Sequence, residues 1–149
     1  MTLNIVQFCA LFFVAVTLGP SLAHLLELPN KIHLSERDYL TVQQIYRRWA
    51  LLGFAVAGAL IFTLIQAVLL RDQPRVFCWT LVALACICAT QVLFWTLTYP
   101  ANRAAANWTT LPAHWTALRA RWEYSHAAAA GLNLIAHAAL VISLLVRCP

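Results

Sequence analysis

The sequence predicts an all-α integral membrane protein in which four transmembrane helices form one domain over residues 1–149. Hydrophobic residues make up 62% of the 149 residues and charged residues only 10%, whereas a soluble domain carries about 25% charged residues. The apolar residues fall into four runs, each near the roughly 20 residues that a helix needs to cross a bilayer. The spans are predicted at residues 3–26, 49–70, 76–99 and 127–146.

The first span has a second interpretation as a cleaved signal peptide. Residues 21–23 (Ser-Leu-Ala) have the small-x-small pattern of a cleavage site. No Lys or Arg precedes the apolar stretch, whereas a signal peptide has a basic amino-terminal region. We therefore expect this span to be retained.

Turn and cap signals predict how the spans are connected. Pro29 and Pro100 are expected to end spans one and three, because proline disfavours α geometry at the residue before it. Residues 35–38 (SERD) resemble a capping box, and the helical spacing that follows can run unbroken into span two. Thr110 with Pro112 indicates another helix start before span four. Spans two and four are therefore predicted to be extended by amphipathic prefixes.

The charge distribution predicts the orientation in the membrane. The net charge is +5, and most basic residues lie in the two long connections, which the positive-inside rule assigns to the cytoplasm. In a bacterium this multi-pass protein would lie in the inner membrane, with both termini outside. The long connections carry Lys31, Arg37, Arg47, Arg48, Arg103, Arg119 and Arg121, whereas the opposite face carries Arg71, Arg75 and Arg147.

Two function classes are disfavoured by what the sequence lacks. Nucleic acid is not an expected partner, because no basic helix or aromatic-basic ribbon stands clear of the membrane. A thiol oxidoreductase is disfavoured because none of the five cysteines forms a Cys-x-x-Cys pair, and we interpret them as buried, inert thiols. The expected partners are the lipid bilayer, a small lipophilic molecule and, as an open alternative, further copies of the chain in a homo-oligomer.

Ionisable residues collect at one depth of the predicted bundle. Span one ends with His24-Leu-Leu-Glu27, and span four begins with Glu123-Tyr-Ser-His126. Because these spans run in opposite directions, each histidine lies one turn deeper than its glutamate in the same leaflet, and the i, i+3 spacing puts each pair on one helix face. A charged group at the centre of a bilayer costs about 2.5–3.5 kcal/mol. We predict a polar chamber between the spans, and the plainer alternative is side chains that reach from the interface to water.

The same four residues suggest a metal site. The Glu-x-x-His spacing recurs in di-iron helix bundles, but the predicted spans two and three contain no carboxylate. A mononuclear iron, copper or zinc site formed by His24, Glu27, Glu123 and His126 is therefore the better metal hypothesis.

A polar stripe in span four bears on which cofactor, if any, the protein binds. Asn133 and His137 each lie within about 20° of His126 around an ideal helix. The stripe could line a ligand pocket or offer His137 as a haem ligand, and ordinary interhelical hydrogen bonds of about 0.6 kcal/mol each are the more common explanation. No cofactor, a mononuclear metal ion and haem all remain as alternatives.

Aromatic and amide side chains are predicted to surround the chamber. Such walls suit a flat aromatic or quinone-like molecule that dissolves in lipid, and an aromatic belt at the membrane interface is the alternative. The predicted substrate-binding residues are Asn30, Tyr46, Trp49, Trp115 and Trp122.

The second half of the chain contains “YPANRAAANW” followed by “HWTALRARWEYSH”, and the first half contains “AHLLELPNK” and “YLTVQQIYRRWALLG”. These motifs resemble the anthrone oxygenase-like family of small four-span membrane proteins. The resemblance implies a monooxygenase that oxidises an activated methylene of a polycyclic phenol to a quinone. The alanines at 127–130 depart from the basic residue that often follows in such relatives. The positions that match the family pattern are Asn102, Trp115, Arg119, Trp122 and His126.

Two hypotheses of different class follow for function. In the catalytic hypothesis, His126 or Glu123 removes the acidic C–H proton, and the enolate-like carbanion reacts with dioxygen. Arg119 and Asn102 would stabilise the developing oxyanion. In the non-catalytic hypothesis, the chain is a haem- or metal-binding membrane subunit or a structural partner in a larger complex.

Overall fold

The computed structural model describes residues 1–147, and their regular elements are all helices. Four helices in this range are long and apolar enough to cross a membrane, which confirms the predicted all-α membrane bundle. Large apolar side chains cover the outside of the bundle, as a lipid-facing surface requires. The four helices are Thr2–Lys31, Trp49–Leu69, Pro74–Ala104 and Trp115–Leu145.

The helices pack as a closed ring of four. Helix α1 (Thr2–Lys31) packs against α3 (Leu52–Leu69) and α6 (Trp115–Leu145), and α4 (Pro74–Leu93) packs against α6 and, less extensively, against α3. Small residues at the centre let the backbones approach closely, because lipid tails leave van der Waals packing as a main source of helix association. The central cluster includes Ala10, Ala59, Ala83, Ala136 and Ala139.

The two prolines expected to end spans one and three do not end them. Helix α1 continues through Pro29 to Lys31, where only the last turn is affected by the missing N–H. In span three a π-helical turn at Phe94–Thr98 precedes α5 (Tyr99–Ala104), so Pro100 lies in the first turn of a new segment. A proline lacks the N–H that would continue the α-helical hydrogen-bond ladder, and helices adjust to such a residue by a local π-helical turn.

The two prefixes differ in structure. Ser35 caps α2 (Glu36–Gln43) by accepting the N–H of Asp38, as predicted. This prefix does not run unbroken into span two, because two 3₁₀ turns, Gln44–Tyr46 and Trp49–Leu51, separate α2 from α3. The second prefix begins at Trp115 rather than at residue 110 and does continue as one helix through span four. The break after α2 lets that helix fold over the end of the bundle toward α6.

The cysteines within residues 1–147 are free thiols. Cys9 and Cys86 are half-buried, but Cys78 and Cys88 are exposed on apolar helix faces. The expectation of buried thiols is therefore wrong for the latter two. Cys148 lies outside the described residues.

Candidate functional site

A cavity of about 690 Å³ lies inside the bundle near the end that carries the two long connections. All four membrane-spanning helices contribute to its wall, together with residues of both long connections. Its volume falls within the range of about 300–1,000 Å³ that is usual for small-molecule sites. The wall includes the predicted residues His24, Tyr46, Trp49, Asn102, Trp122 and His126.

His24 and His126 are neighbours in the wall of this cavity. Their ring centroids are 4.3 Å apart, and the Trp122 ring lies 4.2 Å from His126 and 5.0 Å from His24. Tyr46 and Trp49 complete the surroundings of His24, at 4.7 and 5.1 Å between ring centroids. The structure therefore combines two imidazoles with three aromatic rings in one part of the cavity.

The two glutamates lie behind the cavity wall, and Lys31 lies between them. The Lys31 Nζ is 3.1 Å from Glu123 Oε1 and 3.6 Å from Glu27 Oε2. Glu123 is 1% exposed and Lys31 is 3% exposed. The ammonium also lies 4.5 Å from the Tyr46 ring centroid and 4.6 Å from that of Trp122, so cation–π attraction adds to the ion pairs.

Each of these carboxylates accepts a hydrogen bond from a tyrosine outside the membrane spans. Tyr39 donates to Glu123 Oε1 at 3.0 Å and accepts from Gln43 Nε2 at 2.6 Å. Tyr46 donates to Glu27 and accepts from Lys31 Nζ at 3.0 Å. Burial raises the pKa of both phenols above the usual value, and the neighbouring carboxylates act in the same direction. Both tyrosines therefore remain protonated donors.

The geometry does not fit the predicted metal site. Among the described residues, no group of three or more His, Cys, Asp and Glu side chains is placed to hold a metal ion. The position between the two carboxylates is taken by the Lys31 ammonium, which balances part of their charge as a metal cation would. The four residues predicted as metal ligands therefore divide into a histidine pair in the wall and a Glu27–Lys31–Glu123 network behind it.

The predicted polar stripe of span four is also divided. His126 and Asn133 line the cavity, and Asn133 donates to the Ser21 hydroxyl at 2.8 Å. His137 is not among the cavity-lining residues, and its Nδ1 is buried without a hydrogen-bond partner in residues 1–147. A haem ligated by His137 would therefore need a site other than this cavity.

Four further predicted site residues do not reach the cavity. Arg119 donates to the Leu34 carbonyl oxygen at 2.8 Å, and its guanidinium lies 4.5 Å from the Trp115 ring. Asn30 is exposed in the last turn of α1. Glu123 contacts Lys31 and Tyr39 instead of the cavity. None of Asn30, Trp115, Arg119 and Glu123 is therefore part of the cavity wall, contrary to the predicted direct contacts with substrate. For Arg119 and Glu123 the reason is that their side chains bond to the first long connection.

Asn102 does line the cavity, and a strained turn holds it in place. Its Oδ1 accepts a hydrogen bond from Trp108 Nε1 at 2.9 Å, which leaves its NH₂ group as a donor. Ala106, Asn107 and Trp108 have φ angles of 46°, 54° and 61°, a conformation that costs about 1–2 kcal/mol per residue. Burial of Trp108 and a 2.9 Å bond from Gln44 to its carbonyl oxygen offset this cost. Strain of this kind clusters at functional sites.

Sequence reasoning missed several polar residues of the site. Thr98 and Ser125 both line the cavity and hydrogen-bond to each other at 2.7 Å. Gln43 lines it as well, and the i, i+4 spacing from Tyr39 was a readable signal for that pair. The Glu27–Lys31 ion pair has the same spacing, but the expectation that Pro29 ends the helix concealed this pairing.

Three side chains of the cavity wall each carry a buried polar atom that has no hydrogen-bond partner within the described part of the chain. These atoms are His24 Nδ1, Gln43 Oε1 and Trp122 Nε1. Buried polar atoms are seldom left unpaired in folded proteins. His24 Nδ1 lies 3.9 Å from Glu27 Oε2, so it is directed at the carboxylate behind the wall.

Comparison with protein-family models, with curated proteins and with solved structures finds no match for this chain.

Proposed function

We propose that the chain is a membrane-embedded monooxygenase, similar to the anthrone oxygenases, that acts on a flat, lipid-soluble phenol with an activated methylene. The observation that carries the proposal is the His24–His126 pair, which lines an aromatic-walled cavity large enough for a small molecule. Flat aromatic molecules stack favourably on such rings. The resemblance of the sequence motifs to that family supports the same reaction.

His126 is the proposed general base. Its imidazole lines the cavity, and a neutral imidazole has a ring nitrogen that can accept a proton from a bound substrate. Removal of a methylene proton leaves an enolate-like carbanion that reacts with dioxygen. The methylene and one dioxygen molecule yield a carbonyl group and one water, so the substrate itself supplies the electrons and no further reductant is required.

Asn102 is the proposed donor to the developing oxyanion. Its NH₂ group is free to donate because Trp108 fixes its Oδ1 as an acceptor. Fixed donors of this kind stabilise charge that develops in the transition state. Glu123 and Arg119 have positioning roles in this scheme. Glu123 binds Lys31 and Tyr39, and Arg119 donates to the Leu34 carbonyl oxygen in the first long connection.

The test is turnover of anthrone by purified protein in lipid nanodiscs, followed as dioxygen uptake and as anthraquinone absorbance. His126→Ala is expected to lower kcat by about 10²–10⁴-fold, which is the usual contribution of a general base. Asn102→Ala should lower kcat to a smaller extent. His33→Ala is the matched control, because His33 is exposed in the first long connection and does not line the cavity.

Full turnover in both His126→Ala and His24→Ala would overturn the assignment. An optical spectrum and metal analysis of the same preparation distinguish the non-catalytic alternative from the proposed oxygenase. A Soret band that disappears in His137→Ala would indicate a haem-binding subunit instead, and about one equivalent of metal without that band would indicate a metal-binding subunit. If the protein is colourless, metal-free and without oxygenase activity, the remaining hypothesis is that it is a structural partner in a larger membrane complex.

The orientation in the membrane is part of the proposal. Seven of the ten basic residues belong to the two long connections and the helix ends beside them, and three belong to the opposite face. The positive-inside rule then assigns the long connections to the cytoplasm, and for a bacterial protein to the cytoplasmic side of the inner membrane. The cavity would open near that side.

A further inference from the structure

We propose that the lipophilic ligand enters the cavity sideways from the bilayer, through a portal between the start of α3 and the π-helical turn Phe94–Thr98. The identity of the ligand depends on the proposed function, but the route depends only on the shape of the bundle. The portal is defined by Ala50 and Gly53 on one side and by Phe94 and Trp95 on the other.

The side of the portal near α3 consists of small, exposed residues. Ala50 and Gly53 are exposed, and both line the cavity. A Cβ atom at Gly53 would have no atom of residues 1–147 within 4 Å. Small, exposed residues that also line the cavity are expected at the edge of an opening.

The other side of the portal is aromatic. Trp95 is 60% exposed and also lines the cavity. Its ring centroid lies 5.2 Å from that of Phe94 and 5.2 Å from that of Tyr99. These rings provide a continuous apolar surface from the outside of the bundle to the cavity, along which a flat aromatic molecule can remain stacked.

The position of the portal makes lipid the medium outside it. Gly53 and Trp95 lie in the helices Trp49–Leu69 and Pro74–Ala104, which are apolar enough to be in the bilayer. The neighbours α3 and α4 also pack less extensively than the other adjacent pairs of the ring. A molecule dissolved in the membrane therefore meets the cavity at this weakest of the helix contacts.

The cavity has a second, polar mouth at the end of the bundle. Arg47, Asn107 and Thr109 line the cavity and are exposed in the long connections. This mouth suits water and small polar species. An apolar molecule is more concentrated in the bilayer than in water. The portal opens toward the bilayer, whereas the polar mouth opens toward water.

The route can be tested by thiol labelling in liposomes, independently of any enzyme activity. Ala129→Cys places a reporter thiol in the cavity wall, in a background where the native cysteines are replaced by alanine. Labelling rates are compared for N-phenylmaleimide, which dissolves in lipid, and for a positively charged methanethiosulfonate, which stays in water. Gly53→Leu is expected to slow N-phenylmaleimide at least 10-fold and to leave the charged reagent unchanged.

Gly131→Leu is the matched control. Gly131 is also an exposed helical glycine with nothing within 4 Å of its added Cβ, but it does not line the cavity, so its substitution should change neither rate. Thr109→Trp should slow the charged reagent alone. If Thr109→Trp slows N-phenylmaleimide and Gly53→Leu does not, the portal proposal is wrong.

A second measurement covers the case in which the cysteine-free chain does not fold. Association and dissociation of anthraquinone are then followed by quenching of tryptophan fluorescence in the native-cysteine protein. A narrowed portal should lower both rates by the same factor with Kd unchanged, and unchanged rates in Gly53→Leu would overturn the proposal. If the proposed function is wrong but the portal exists, anthrone will not be turned over, and Gly53→Leu will still slow labelling by N-phenylmaleimide.

Discussion

The Lys31 ammonium is enclosed by groups from three parts of the chain. Glu27 comes from its own helix, Glu123 from α6 and Tyr46 from the first long connection. Taking charges out of water is costly, and their mutual attraction repays this cost only when the geometry and the remaining hydrogen bonds are good. The removal of Lys31 leaves the Glu123 carboxylate buried without a cation.

We therefore expect Lys31→Met to destabilise the protein by about 3–5 kcal/mol, the usual cost of breaking a buried ion pair. The measurement is thermal or denaturant unfolding in detergent, followed by circular dichroism. The double variant Lys31→Met/Glu123→Gln should recover a large part of the loss, because no buried carboxylate then lacks its cation. Arg37→Met serves as a control at an exposed position. A loss below about 1 kcal/mol for Lys31→Met would contradict the tight burial of this network.

At the scale of elements, the packing of α1 on α3 depends on one glycine. A Cβ at Gly58 would lie 2.7 Å from the Phe13 ring, which is itself stacked on Phe62 with 5.6 Å between centroids. The ring cannot turn away without losing this stacking. The close approach of these two helices therefore requires glycine.

Gly58→Ala is expected to lower the free energy of unfolding by about 1–2 kcal/mol, because overpacking outweighs the gain in helix propensity. Gly131→Ala is the matched change at a glycine with open space around it, and it should raise stability by about 0.5–1 kcal/mol. Both are measured by denaturant unfolding in the same detergent. Phe13→Leu in the Gly58→Ala background should restore part of the loss. Equal effects of the two alanine substitutions would show that α1 and α3 are not in close contact at Gly58.

At the scale of the whole molecule, the positive-inside rule should count only the basic residues that are free to face solvent, because two basic residues of the long connections make contacts inside the protein. Lys31 is buried in ion pairs, and Arg119 is bonded to a carbonyl oxygen. The long connections still present five exposed arginines, at positions 37, 47, 48, 103 and 121, against two at the short turn and one at the carboxyl end. The bias therefore survives when the residues used by the site are removed from the count.

We expect alkaline phosphatase fused after residue 147 to be active in bacterial cells, and green fluorescent protein at the same place to be dark. Each reporter inserted in the first long connection after His33 should give the opposite result, because that loop is predicted to face the cytoplasm. Insertion after Asp72, in the short turn, serves as the control for the outer face. Active phosphatase at the His33 position would reverse the orientation.

The fold class could be predicted because it depends on composition alone. Four apolar runs of sufficient length allow no other arrangement in a bilayer than helices with internal backbone hydrogen bonds. The helix ends were predicted less well. Pro29 and Pro100 are strong local signals, but near a helix end each removes little hydrogen bonding, so packing of the neighbouring side chains prevails.

The sequence by itself determined that His24 and His126 lie at one depth of a membrane bundle, because depth follows from distance along a helix. Only the tertiary structure decided which of the nearby polar groups line the cavity. Lys31 reaches Glu123, which is distant along the chain, and Tyr39 also reaches Glu123 because the helix is interrupted after α2. The direction that a side chain takes around the helix axis depends on how the helices rotate against each other, and no local pattern specifies that rotation.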